Sequence, residues 1–280
     1  MSDSAQAKSD EPLDPATQRR VVRDRYARIA TETEAKERGC STSDGCCTED
    51  ASGTGDTAET ATQLGYSTAD VESIDGEANL GLGCGNPQAL ASLTEGETVV
   101  DLGSGAGFDC FLTAQEVGEA GQVIGVDMTP EMVEKARANA TKNESENVEF
   151  RLGEIEHLPV ADDSIDVIIS NCVVNLSPNK PQVFREAFRI LRPGGRLAIS
   201  DVVMTADVSR DIRADPDSVA SCVAGASTID RLNEMLTDAG FEQIDISPKD
   251  DSDQFIREWD DEYDVSEFLV SASITGRKPE

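Results

Sequence analysis

Histidine is nearly missing: His157 is the single one in 280 residues. The commonest general base is therefore scarce, which disfavours reactions that must pull a proton from an oxygen or nitrogen acceptor. No Cys-x-x-Cys pair occurs, so a zinc site is poorly supported. Lysine is short as well, with seven among 24 basic residues set against 55 aspartates and glutamates. The resulting net charge of −31 repels phosphate and excludes nucleic acids and anionic membrane surfaces as partners. No apolar run approaches the ~20 residues of a membrane span. Residues Met1 to Glu11 are polar and acidic, unlike a secretory signal. These absences point to a cytoplasmic protein whose cysteines are mostly reduced at rest.

What is present begins with acid spread along the whole chain, from Asp3 to Glu280. A single acidic tail would suggest an interaction segment. A distributed excess suggests a salt-loving host, where screening suppresses self-repulsion. The length suits one large domain with extensions.

Residues 1–63 read as an acidic extension. Helical spacing of Val21, Val22, Tyr26 and Ile29 is followed by a Gly-, Ser- and Thr-rich loop from Gly39 to Thr60 that carries Cys40, Cys46 and Cys47. Residues 64–205 read as the core. After a Gly-rich turn around Cys84 and a short helix from Pro87 to Leu93, strands are predicted at Thr98–Leu102, Val123–Val126, Val148–Leu152, Ile165–Ser170 and Arg196–Val203. Helices are predicted at Phe108–Val117, from Pro130 to about Ala140, and at Pro181–Leu191, the last stopped by Arg192-Pro193-Gly194-Gly195. Residues 206–280 add a helix from Ile229 to Ala239, strands at Phe241–Ile246 and Glu267–Thr275, and an acidic excursion from Asp250 to Asp264. Alternating strands and helices imply an α/β, doubly wound, mostly parallel sheet.

The loop Asp101-Leu102-Gly103-Ser104-Gly105-Ala106-Gly107 follows the first core strand and opens a helix. Its glycines permit a tight turn and let a ligand approach the backbone. Asp127 ends the second strand, placed to accept hydrogen bonds from two ribose hydroxyls. A dinucleotide is the natural rival ligand. The glycine spacing departs from Gly-x-Gly-x-x-Gly, and Asp101 would repel a pyrophosphate while suiting a ligand with an ammonium and a sulfonium, as in S-adenosylmethionine.

Three further cysteines abut this core from distant positions: Cys84 in Gly83-Cys84-Gly85-Asn86-Pro87, Cys172 in Asn171-Cys172-Val173-Val174-Asn175, and Cys222 in Cys222-Val223-Ala224-Gly225-Ala226. Converging thiolates suit a soft, thiol-seeking, three-coordinate centre. Cys110, on the helix after the glycine loop, reads as a small buried side chain. His157 reads as a loop residue.

The runs from Asp101 to Met132, from Gly153 to Pro159 and from Ser170 to Pro178, with Cys84 in its Gly-Cys-Gly turn and Cys222 beyond the fifth strand, resemble the arsenite methyltransferase family of class I methyltransferases, over roughly residues 16–245. The resemblance implies a Rossmann-like, seven-stranded sheet whose last strand is antiparallel. It implies an S-adenosylmethionine site in which Asp101, Gly103, Ser104 and Gly105 hold the methionine part. Asp127 would hold the ribose, Met128, Glu154 and Ile155 would line the adenine pocket, and Asn171 would stand at the reacting end. It implies trivalent arsenic bound by Cys84, Cys172 and Cys222, with arsenite as substrate. For Cys40, Cys46 and Cys47 two roles stay open. One is supply of electrons, through a disulfide with a core cysteine reset by thioredoxin or a small thiol; the other is metalloid capture alone. Methylation of another small acceptor, and non-enzymatic metalloid binding, are the alternative functions.

Overall fold

The computed structural model describes residues 13–37, 57–74, 77–206, 223–249, 252–259 and 264–280. Cys40, Cys46, Cys47 and Cys222 lie outside these residues, as does most of the loop expected between Gly39 and Thr60. A long first helix, α1 (Pro15–Glu37), precedes three short ones, α2 (Thr57–Gln63), α3 (Thr68–Ser73) and α4 (Gln88–Ala91). The core then runs β1 (Thr98–Leu102), α5 (Phe108–Val117), β2 (Gln122–Asp127), α6 (Pro130–Lys142), β3 (Val148–Leu152), β4 (Ile165–Asn171), α7 (Lys180–Ile190) and β5 (Leu191–Met204). It closes with β6 (Ser227–Thr228), α8 (Ile229–Ala239), β7 (Glu242–Pro248), α9 (Asp253–Ile256) and β8 (Leu269–Arg277).

Seven strands lie in the order β3-β2-β1-β4-β5-β8-β7, and the two-residue β6 pairs with the end of β5. β1 to β5 are parallel, while β8 runs antiparallel to both neighbours. The order reverses between β1 and β4, the switch point where ligands bind in open α/β sheets.

Period-two alternation splits the core between the two faces of this sheet. Val99, Val123, Val167 and Ile169 pack with Phe111 and Val117 of α5 and Val133 and Ala136 of α6. Val100, Ile124 and Ile168 turn the other way, onto Val183, Phe184, Ala187 and Ile190 of α7 and Leu232, Met235 and Leu236 of α8. The helix spacings of those residues are those of one buried stripe.

β5 begins earlier than expected. The Arg192-Pro193-Gly194-Gly195 run ends α7 as foreseen, but the chain is already extended at Leu191, which pairs with Ile165 before a register shift. α2 and α3 were not foreseen. α3 is fixed by a reciprocal cap, in which Ser67 Oγ accepts from Asp70 N and Asp70 accepts from Ser67 N. Part of the acidic excursion is helical, with α9 followed by a short 3₁₀ turn, Arg257–Trp259.

Candidate active site

A third apolar cluster sits beyond the carboxyl ends of the strands. It joins Val22 of α1 to Cys84, Cys172, Leu176, Val202, Met204 and Val223. Beside it opens a cavity of about 1060 Å³, mouth included, between the glycine loop, the loop after β4 and α1.

Its floor is acidic. Asp101, at the end of β1, is almost wholly buried. Burial, then the neighbouring charge of Asp109, pushes its carboxyl well above the usual range. Cys110 donates its S–H to Asp101 Oδ2 at 3.3 Å, which gives the buried thiol a structural task. Burial also raises Asp109, against the hydrogen bonds it accepts from Tyr66 (2.6 Å), Asn171 (3.4 Å) and Gln88 (3.3 Å). Asp127 is raised by burial as well, although Thr129 N and Gly105 N donate to its two oxygens.

The glycine loop owes its path to a close approach. Gly103 has φ +70°, and a Cβ there would collide with the side chain of Val173. Ser104 Oγ is buried on the cavity wall without a hydrogen-bond partner among the described residues. A buried hydroxyl in that condition favours a ligand that brings one. Met128 and Ile155 line the wall, as does Asn171. Glu154 does not: its side chain is 44% exposed and pairs with Arg19 Nε at 3.3 Å. The carboxylate that reaches the wall is Glu156, buried and bound by Ser177 Oγ at 2.7 Å and Arg19 at 3.3 Å. Local sequence gives two adjacent glutamates either side of Ile155, and only the fold decides which turns inward.

Asn171 ties the acidic floor to the thiols. Its Oδ1 accepts from Cys84 N at 2.9 Å, while its Nδ2 donates to Gly85 O at 2.7 Å and to Tyr66 OH at 3.1 Å. Gly83 is needed for this contact: it has φ +120°, and a Cβ there would stand 2.7 Å from Asn171 Nδ2. The next residue, Cys172, adopts φ +57°, a left-handed conformation that costs a non-glycine residue ~1–2 kcal/mol. That turn carries its sulfur to Cys84, and the two form a disulfide with Cα atoms 5.9 Å apart. The expectation of thiols reduced at rest therefore does not describe this pair. The disulfide joins two core cysteines; the expected pairing of a core cysteine with one of the N-terminal cluster lies outside the described residues.

Cys172 lines the cavity, whereas Cys84 is fully buried behind it. Asp201 completes a trio of donor atoms within 4.8 Å of one another with these two sulfurs. Its carboxylate is already engaged by Asn175 N, Asn175 Nδ2 and Val202 N, so it holds the turn after Cys172 in place. Burial raises its pKa to about 6. Val223 is buried in the same cluster, and Cys222, the residue before it, lies outside the described residues. The network of Tyr66, Gln88 and Asp109 escaped the sequence reading, because Tyr66 and Gln88 reach Asp109 from 43 and 21 residues away with no local pattern to mark them.

Known proteins sharpen this picture. A methyltransferase-domain family model matches residues 93–240. An arsenite methyltransferase from Halobacterium salinarum is 58% identical over 270 residues, covering 95% of this chain and 68% of the relative. The chain belongs to the arsenite methyltransferase family. A second member of that family, from Aquipseudomonas alcaligenes, is 46% identical over 166 residues, 57% of this chain and 47% of its own. The crystal structure of an arsenic(III) S-adenosylmethionine methyltransferase from Chlamydomonas reinhardtii superposes with a TM-score of 0.56 at 32% identity, over 81% of this methyltransferase and 75% of the other.

Proposed function

We infer that this methyltransferase transfers a methyl group from S-adenosylmethionine to trivalent arsenic held by its cysteines. The observation that carries the reading is the position of Cys172: its sulfur lies on the wall of the acid-floored cavity and within bonding distance of Cys84. S-adenosylmethionine supplies an electrophilic methyl on a sulfonium. The residues present fit it. Asp101 and Asp109 form an acidic floor whose charged form an ammonium would favour, Ser104 Oγ awaits a partner, and Asp127 can take ribose hydroxyls once it releases Gly105 N. Met128 and Ile155 offer apolar surface to the adenine, and Glu156 replaces Glu154 at that wall.

The reduced pair Cys84 and Cys172, joined by Cys222, exchanges the oxygens of arsenite for sulfur and leaves an arsenic lone pair free. Soft sulfur suits soft arsenic. The attacking atom carries no proton, so the scarcity of histidine is no handicap. Fixing the lone pair in line with the methyl supplies up to ~7–11 kcal/mol of the acceleration in favourable cases. Arsenic leaves that step formally pentavalent, and the Cys84–Cys172 disulfide is what remains when this pair returns the two electrons. Reduction by a small thiol or a thioredoxin-type protein, relayed through Cys40, Cys46 or Cys47, then resets the pair in a cytoplasmic setting.

The test is single Cys84→Ser, Cys172→Ser and Cys222→Ser variants assayed for S-adenosylhomocysteine with and without arsenite, under excess reductant. Each should lose arsenite-dependent turnover by at least ~100-fold, the scale of a lost positioning contact. A fully active Cys172→Ser or Cys222→Ser enzyme would overturn the ligation scheme.

A further inference from the structure

Behind the disulfide lies a polar pair with no place in the chemistry so far. Ser200 is fully buried in β5. Its Oγ stands 3.9 Å from Cys84 Sγ and accepts a hydrogen bond from Lys249 Nζ at 3.0 Å. Lys249 follows β7 and is held there by its own N–H, which donates to Ser271 O at 2.8 Å. Its head lies over Gly85, where a Cβ would collide with both Lys249 Nζ and Ser200 Oγ. Among the described residues Lys249 makes no ion pair, and burial pulls its pKa below that of an ordinary lysine. A cation taken out of water with one neutral partner gains strongly from a nearby anion.

The two sulfurs differ in access. Cys84 is sealed, while Cys172 is 6% exposed and faces the cavity. Asp201 lies near both sulfurs and disfavours negative charge on either; at Cys84 a hydroxyl backed by an ammonium offsets it.

We propose that Lys249, acting through Ser200, makes Cys84 the leaving sulfur whenever the Cys84–Cys172 disulfide is opened, so that an incoming thiol is always captured on Cys172. A thiolate RS⁻ attacks Cys172 Sγ, the bond between the two cysteines breaks, and its electron pair departs on Cys84. The Ser200 O–H turns to donate to that thiolate, with Lys249 Nζ behind it. A second RS⁻ attacks the outer sulfur of the mixed disulfide, RSSR leaves, and Cys172 is freed as a thiolate on the cavity wall. Lys249 and Ser200 are positioning residues: they touch neither arsenic nor methyl donor, and they decide which sulfur leaves. Leaving-group stability raises the exchange rate directly. The assignment rests on the reading of this pair as the redox couple of the enzyme.

The experiment omits arsenite and methyl donor, so it reports the exchange separately from methylation. The oxidised full-length protein is treated with glutathione, quenched by alkylation and mapped by mass spectrometry. The wild type should carry glutathione on Cys172 and the alkyl group on Cys84. Lys249→Met and Ser200→Ala should each slow opening at least tenfold, and Lys249→Arg should restore the rate to within about threefold. Gly85→Ala, which displaces the ammonium without altering charge, should slow it as well. Glutathione found on Cys84, or unchanged opening rates in both Lys249→Met and Ser200→Ala, would overturn the proposal. If Lys249→Met does not fold, Ser200→Ala and the wild-type map decide it.

Discussion

In the proposed function, Asp101 is the residue on which donor binding turns. Burial and the adjacent Asp109 favour its protonated form in the folded protein. A native pKa above the unfolded value contributes stability that is complete at low pH and is lost as pH rises through the native value. A cationic ligand reverses that preference and expels the proton. Donor affinity should therefore rise with pH from the ordinary carboxylate range upward, by at most ~10-fold per unit for one linked proton. Calorimetry in buffers of different ionisation enthalpy should record the proton released. Asp101→Asn should bind the donor at least ~10-fold more weakly, about 1.4 kcal/mol, with the pH dependence much reduced. An Asn variant with undiminished affinity would remove Asp101 from the floor's function.

Among the secondary elements, α1 has the most to explain. It contributes Arg19, Val22 and Tyr26 to the cavity wall, and Gln18 Nε2 donates to Leu176 O at 3.0 Å on the turn after Cys172. One helix thus lines the cavity and braces the loop that follows Cys172. Val22→Ala removes two buried methyl groups, at ~0.8 kcal/mol each. It should weaken donor binding by about tenfold while moving the thermal midpoint by only a few degrees. An affinity left intact, with helix protection unchanged in hydrogen exchange, would make α1 a bystander. Its apolar spacing was visible in the sequence, as were the ends of β1 and β3 to the residue, because each element carries its own period and its own Gly or Pro boundary. What α1 covers was not visible, since no local pattern encodes a contact such as Gln18 to Leu176, 158 residues apart. The same physics hid Lys249, Ser200 and the inward turn of Glu156. The meeting of Cys84 and Cys172 was half legible: both were expected beside the donor core, but the left-handed turn at Cys172 that aims its sulfur has no signature in a non-glycine residue.

Across the whole molecule, −31 charges on 280 residues set the working conditions. The Debye length falls from ~10 Å at 0.1 M salt to ~3 Å at 1 M, so repulsion among acids spread along the chain is quenched only in concentrated salt. The kinship with a Halobacterium salinarum enzyme accords with such a host. Near-UV circular dichroism and arsenite turnover, followed as potassium chloride is diluted from molar to millimolar, should decline together as packing loosens. Full ellipticity and activity in dilute buffer would disprove the adaptation.

Cys84 is fastened at its carbonyl by Ser271 Oγ, 2.6 Å away on the last strand and 187 residues later in the chain. The consequence lies in the order of events during synthesis. Every cysteine emerges from the ribosome before Ser271, so Cys84 lacks this anchor until all seven have been made. The meeting of Cys84 with Cys172 is therefore secured only once β8 has joined the sheet beside β5.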